Sequence, residues 1–271
     1  MKPRVVFHAD DLGISPGVSR GIARAVEDGP VRAVSLCVTG ADAEGGASLA
    51  RRWEGEIDLG LHLSFTLGRA LSGPIEGLTD PLGRFLPLRT VLARCALGVP
   101  VEAQVRREVI AQLERADALG VHLDHLDGHH HVHVFPVIRD AVLGAARHLR
   151  LRVPDDRVAR GARARLLGAL ARGFRSRAAA RGVTLDALPF VGLALHDRAD
   201  FEARLEGLLA APPAPAFELM VHPREEDAAF RRLDRLGARG DRYRAELAAL
   251  TRPWAQCIPA RFSLVGAPGP G

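Results

Sequence analysis

The sequence predicts an α/β fold, a single (β/α) barrel-like domain, TIM-like or irregular. Three observations carry this. Short apolar runs alternate with helical stretches along the whole chain, which is the order of a parallel sheet. About seven such units suit a closed or nearly closed barrel. The turn after the first apolar run is ADDLG (9–13), acidic where the phosphate loop of an open doubly wound sheet wants glycines and free amides. No break in composition marks a second domain, so 1–265 reads as one unit and 266–271 as a disordered tail.

The elements follow in order. VVFH (5–8) is the first strand. Ser15 and Pro16 then supply an N-cap and a first helical residue, Val18, Ile22, Ala25 and Val26 share a helical face, and Gly29 stops the helix. VSLCVT (34–39) is the second strand, with a helix over 41–53 behind it, and IDLGLHL (57–63) is the third. A loop rich in Gly and Pro fills 66–88. A helix over 101–119 puts Val101, Val105, Val109 and Leu113 on one face and ends at Gly120. VHLDHLD (121–127) is the central strand, followed by a helix near 136–148 and the strand LRLRV (149–153). A basic helical region spans 157–181. PFVGLAL (189–195) and FELMVH (217–222) are the last strands, with helices at 199–210 and 225–250.

Composition bounds the function. Hydrophobic residues make up 47% of the 271, enough for a sizeable core. No uncharged apolar run reaches the ~18 residues of a membrane span, and the start MKPRVVFHADD lacks the apolar core and cleavage site of a signal peptide. Cys37, Cys95 and Cys257 are odd in number and far apart, with no CxxC pair, so the expected compartment is the cytoplasm. The net charge of +5 raises the question of nucleic acid. Lys2 is the only lysine, and the arginines scatter among acids on helical segments. That reads as a compositional bias of the source, and no nucleic-acid partner is expected. The 157–181 region is the exception, a solvated helix face or an anion-facing patch.

Ligands of α/β barrels gather at the C-terminal ends of the strands. Four strands bring His or Asp to that rim: His8, Asp10 and Asp11; His62; Asp127, His129, His131 and His133; and His222. The stretch HLDHLDGHHHVH (122–133) holds six of the eleven histidines. Strand alternation puts Leu123, His125, Asp127 and His129 on one face. A carboxylate two residues before a histidine suits the orienting of a metal-bound imidazole. The pattern therefore points to a metal site. Taken singly, His122, His130, His131 and His133 read as core or solvent-facing histidines, and His62 as a packed one. Asp10-Asp11 alone is an ordinary turn pair; at a strand end one carboxylate can bind metal while the other moves protons.

Together these motifs resemble the YdjC-like carbohydrate deacetylases. ADDLG (9–13) stands for that family's ADDFG, GLH (60–62) for its GxH, and Met220, His222 and Pro223 for its MxHP. His125, Asp127, His129, His131 and His133 fill its HxDxHxHxH. Leu12 replaces the usual Phe, and His8 stands where Asn or another small residue is common.

The resemblance implies a barrel related to those of polysaccharide deacetylases. It implies one divalent metal on Asp11, His62 and His129: magnesium or zinc first, cobalt, manganese or iron next. It implies Asp10 as base and His222 as acid, with His125, Asp127 and His131 orienting ligands or facing substrate. The implied reaction removes N-acetyl groups from an amino sugar, an N-acetylglucosamine-containing oligosaccharide or glycolipid, by water at the metal. A related subgroup acts on N-acetylglucosaminyl hopanoids, which stays open as a substrate. The loop at 66–88 becomes either a sugar-binding wall or a plain surface excursion, and a homodimer is an open option. Another metal-dependent hydrolase, of cyclic amides or phosphoesters, would place His-x-His at the end of the first strand. A catalytically silent sugar- or metal-binding protein would lack a proton-transfer residue, and Asp10 and His222 are both present.

Overall fold

The computed structural model describes residues 3–156, 158–196, 198–233, 240–256, 258 and 263–264. Its strands are β1 (Arg4–Leu12), β2 (Val31–Leu36), β3 (Asp58–Leu63), β4 (His125–Gly128), β5 (Arg150–Leu151), β6 (Phe190–Val191), β7 (Ala216–Val221) and β8 (Ser263–Leu264). They form one curled parallel sheet in the order β5-β4-β3-β2-β1-β7-β6, with β8 beside the start of β1. The helices are α1 (Pro16–Glu27), α2 (Ala43–Arg52), α3 (Leu88–Ala96), α4 (Glu102–Ala118), α5 (Pro136–Ala145), α6 (Ala162–Arg181), α7 (Phe201–Ala210), α8 (Ala228–Leu233), α9 (Gly240–Leu250) and α10 (Pro253–Gln256). Cys257, Arg157 and the 266–271 tail lie outside the described residues.

Alternation along the strands separates two environments. Val5, Phe7, Ala9, Leu59, Leu61, Leu63, Leu126, Phe217, Leu219 and Val221 join the apolar core with the helices. The other face of the same strands carries His8, Asp10, Asp58, His62, His125, Asp127 and Glu218, all buried. The concave interior is therefore a charged compartment. Cross-strand register pairs its members directly, Gly60 with His125 and His62 with Asp127.

The barrel is irregular at its seam. The edges β5 and β6 do not pair with each other; the segment 184–191 bonds to both. Leu151 exchanges bonds with Thr184 and Asp186, while Glu218 N–H donates to Pro189 O. The expected strand PFVGLAL shrinks to Phe190–Val191 because the chain turns at Gly192. Its φ is 149°, and a Cβ there would lie 2.8 Å from that of Met220. Asp156 then accepts the N–H groups of Gly192 and Leu193 at 3.0 and 2.8 Å, which fixes the turn. LRLRV likewise keeps only Arg150–Leu151 as strand.

The central strand departs most from alternation. β4 ends at Gly128, and His129–Val134 form a tight 3-10 segment in which His130 and His131 have φ of 57° and 59°. His125 and Asp127 share the inward face as expected; His129 leaves the strand, and His131 and His133 do not alternate along it. Two further differences are local. α3 begins at the end of the Gly- and Pro-rich loop, where the sequence shows no helix, and the helix expected over 225–250 is α8 and α9, with 234–239 between them outside the described residues.

Gly60 shows how tightly the interior is built. A Cβ on it would sit 2.1 Å from His125 Nε2. Gly60→Ala is expected to lower stability by about 1–3 kcal/mol, the cost of overpacking. A urea titration reads this as a lower midpoint at unchanged slope, and an unaltered midpoint contradicts the packing.

Candidate active site

β1 delivers two consecutive carboxylates to one place, which a regular strand cannot do. Its pairing with β2 slips between Ala9 and Leu12, and Asp11 has φ 78°. This is bulge behaviour: an extra residue re-aims the side chains around it. A left-handed non-glycine residue costs on the order of 1–3 kcal/mol, and such strain gathers at functional sites. The expected turn at ADDLG is therefore still strand, with Asp10 and Asp11 both buried.

Asp11, His62 and His129 converge, with ligand atoms all within 4.8 Å of one another. Asp11 Oδ1 is 3.0 Å from His62 Nε2 and 2.8 Å from His129 Nδ1. Against the penalty of burial, His129 and His62 hold the Asp11 carboxyl well below its usual range. The other side of His62 is fixed. Its Nδ1 lies 2.7 Å from Asp127 Oδ1 and 3.0 Å from Ser35 Oγ, and Ser35 also donates to Asp127 Oδ2. An imidazole anchored this way presents a lone pair at Nε2. One carboxylate and two imidazoles, one of them so oriented, fit a single divalent cation.

The anchor makes a prediction. Asp127→Asn is expected to weaken divalent-metal affinity by about 10–100-fold, the usual effect of losing an orienting partner. Competition with a chromogenic chelator measures it; full affinity in a folded variant argues against His62 Nε2 as a ligand.

Asp10 faces a different partner. Arg152 Nη1 donates to both its oxygens at 2.8 and 2.9 Å. The same guanidinium reaches Asp127 Oδ2 at 2.6 Å and Glu218 Oε1 at 2.7 Å, and lies 5.6 Å from the centre of the Phe190 ring. Burial pushes the Asp10 carboxyl up to about 7 while Arg152 pulls it down. One arginine thus ties β1, β4 and β7 together beside the cluster of Asp11, His62 and His129.

His222 follows Val221, which pairs with Ala9, so it leaves β7 at the level where β1 carries Asp10. Its backbone N–H donates to Glu246 at 2.5 Å, and its ring lies 4.2 Å from that of His196. Burial and the neighbouring His196 hold its pKa well below the ordinary value, with Asp11 and His62 near enough to influence it. Among the described residues, His196, His222 and Glu246 form another group of convergent ligand atoms, as do His8, His125 and Asp127, and Asp10, His62 and Asp127.

The remaining histidines sort by environment. His125 lies deep in the compartment with His8. His131 is buried with its ring 5.5 Å from Phe190, and His133 Nε2 donates to Arg152 O. His130 packs on His129 and meets Thr66 Oγ1 at 2.9 Å, while His122 pairs with Glu54 at the surface. Thr66 opens the 66–88 loop, which is built rather than loose. The buried carboxylate of Glu108 accepts Leu71 and Ser72 N–H groups, and Gln112 clamps Ser64. α6 buries Leu167, Ala171, Phe174 and Ala178 and leaves Arg165, Arg172 and Arg177 to solvent. The charge of Arg163, in its first turn, reaches His130 and His131.

Sequence reasoning misses Arg152, Glu218, Asp58, Ser35, His196 and Glu246. Three of them carry a readable signal. Asp58, Arg152 and Glu218 interrupt apolar runs that otherwise read as buried strands, and a charge there must be paired.

The profile of the family described as YdjC-like protein matches residues 4–258. A carbohydrate deacetylase of Vibrio cholerae serotype O1 is 40% identical over 151 residues, covering 55% of this chain and 58% of that protein. A carbohydrate deacetylase of Brevibacillus brevis is 37% identical over 150 residues, with the same coverage. The match thus spans less than two thirds of these relatives' length. Among solved structures, an Enterococcus faecalis V583 protein named for cellobiose-phosphate cleavage superposes with TM-score 0.74 at 19% identity, covering 98% of both chains. A lactam utilization protein of Thermus thermophilus reaches 0.51 at 14% identity, covering 97% of this chain and 99% of that one. At such identities the likeness is one of fold. No helix among the described residues is long and apolar enough to cross a membrane.

Proposed function

The chain belongs to the YdjC-like protein family, and from that membership we propose that it is a metal-dependent hydrolase removing N-acetyl groups from an amino-sugar substrate. The substrate class is an N-acetylglucosamine-containing oligosaccharide or glycolipid; the names of the curated relatives support a carbohydrate. One observation carries the reading. The bulge in β1 splits two adjacent carboxylates, Asp11 toward the histidine pair and Asp10 toward Arg152 beside it.

Asp11, His62 and His129 would hold a divalent cation, which would supply Lewis acidity toward the amide carbonyl and lower the pKa of water. Zinc, cobalt, iron or manganese suits this donor set, and magnesium does where it is abundant. The protein supplies the rest. Asp10 takes the proton of the attacking water, oriented by both bonds from Arg152. Asp127 and Ser35 keep His62 in one tautomer. His222 gives a proton to the nitrogen as the C–N bond breaks, so acetate and a free amine leave. His130 and Thr66 sit where the wall of the 66–88 loop meets His129, and this wall holds the sugar.

The deciding experiment measures acetate release from N-acetylglucosamine oligosaccharides and from N-acetylglucosaminyl lipids, after chelation and after adding back zinc, cobalt, manganese or magnesium. Release that needs a metal supports the reading. Release that survives chelation, or none on any acetylated sugar with full metal content, overturns it.

A further inference from the structure

Beneath the metal triad the interior holds a feature that the reaction above does not use. His8 Nε2 and His125 Nε2 face each other at 3.3 Å, their rings edge to face. Each ring has a carboxylate beside its other nitrogen, Glu218 Oε1 at 2.8 Å from His8 Nδ1 and Asp58 Oδ2 at 3.2 Å from His125 Nδ1. Both are almost wholly buried. If both rings were neutral with Nδ1–H toward their carboxylates, two lone pairs would meet with nothing between them. A proton or a metal ion must lie between them.

We propose that His8 and His125 hold one proton between their Nε2 atoms, and that this charged imidazole pair is a positioning element for Arg152 and, through it, for Asp10 and Asp127. The spacing is that of an N–H···N hydrogen bond. The surroundings demand positive charge. Among the described residues, Asp10 on β1, Asp58 on β3, Asp127 on β4, Asp186 on the seam segment and Glu218 on β7 face the pair. The positive groups opposite them, among the described residues, are Arg150, Arg152 and the imidazole of His62. Against burial, Asp58 and Asp127 hold His125 above its ordinary value. Burial and Arg152 hold His8 below its own. His125 therefore carries the proton and His8 Nε2 accepts it, which fixes His8 Nδ1–H as donor to Glu218. Glu218 Oε1 also takes Arg152 Nε at 2.7 Å, and this sets the edge that Arg152 turns to Asp10 and Asp127.

A metal ion fits less well. Asp127 Oδ2, 3.7 Å from His8 Nε2, is already bonded to Arg152 at 2.6 Å. Two nitrogens remain, short of the four ligands of a structural zinc site, beside a fixed positive charge. Because the folded pKa of His125 is raised, the pair's stabilisation is complete below the ordinary imidazole value. It is lost as pH rises through the folded value.

The positioning role rests on the deacetylase reading; the shared proton does not. Nitrogen-15 NMR of the imidazole and guanidinium groups of the whole protein at neutral pH tests both, with metal content counted. The expected spectrum has His125 protonated on both nitrogens, His8 on Nδ1 alone, and one strongly deshielded proton between the Nε2 signals. In His8→Asn that proton disappears, and Arg152 Nε–H exchanges about tenfold faster, as loss of one charge-assisted hydrogen bond allows. Two rings each protonated only on Nδ1, or a second equivalent of zinc bound and lost in His8→Asn, overturns the shared proton. Unchanged Arg152 exchange in a variant that has lost the deshielded proton overturns the positioning role. Should His8→Asn fail to fold, His8→Gln and the wild-type spectrum decide. A protein that shows the pair but releases no acetate loses the deacetylase reading alone.

Discussion

Asp10→Asn is expected to lower turnover on an acetylated amino sugar by about 10²–10⁴-fold, the range for removal of a general base, while the protein keeps its metal. Asn has the shape of Asp and cannot take a proton. The proposed metal ligands Asp11, His62 and His129 are separate residues with their own contacts. Arg152 keeps Asp127 and Glu218, so the guanidinium stays paired in the variant. Metal content by elemental analysis, beside kcat and KM, separates the outcomes. Loss of metal together with activity would move Asp10 into the coordination sphere. Undiminished kcat would send the search for the base to another carboxylate. Either result also tests the bulge, because a regular β1 would turn Asp10 and Asp11 to opposite faces.

The fold class is legible because alternation of strand and helix is a property of the whole chain. Its seam is not. The shortness of β5 and β6 follows from contacts between distant segments, such as Gly192 on Met220 and Asp156 on the turn, which no local pattern contains. The candidate residues Asp11, His62 and His129 are reached through a family motif, and the structure brings them together by a route that alternation does not predict. Asp11 arrives through a slip in register and His129 from a 3-10 turn beyond the strand. Backbone irregularity of this kind is stabilised by tertiary partners and so has little trace in sequence. The charged floor is half legible. Asp58, Arg152 and Glu218 are visible as charges inside apolar runs, but which pairs with which depends on the curl of the sheet. His8 is visible in the sequence as a strand-end histidine and a departure from the family pattern, but its pairing with His125 is not.

His222→Ala is expected to cut kcat on an acetamide by about 10²–10⁴-fold, the contribution of a positioned proton donor, with metal content unchanged. The residue directly follows β7, which ends at Val221, and Pro223 forbids a further ladder donor, so the strand does not resume beyond His222. Its fit to the role is a matter of sign. Burial and His196 depress its pKa, so the resting imidazole is neutral. A neutral ring must gain a proton as charge builds in the site before it can give one to the amine. Once protonated it is a stronger acid than an ordinary histidine, as an amine leaving group requires. An activated ester of the same acyl group leaves without a proton, so His222→Ala should hydrolyse it with a far smaller loss than the amide. Equal losses on amide and ester would show that His222 places the substrate, and the donor would then be sought at its neighbour His196.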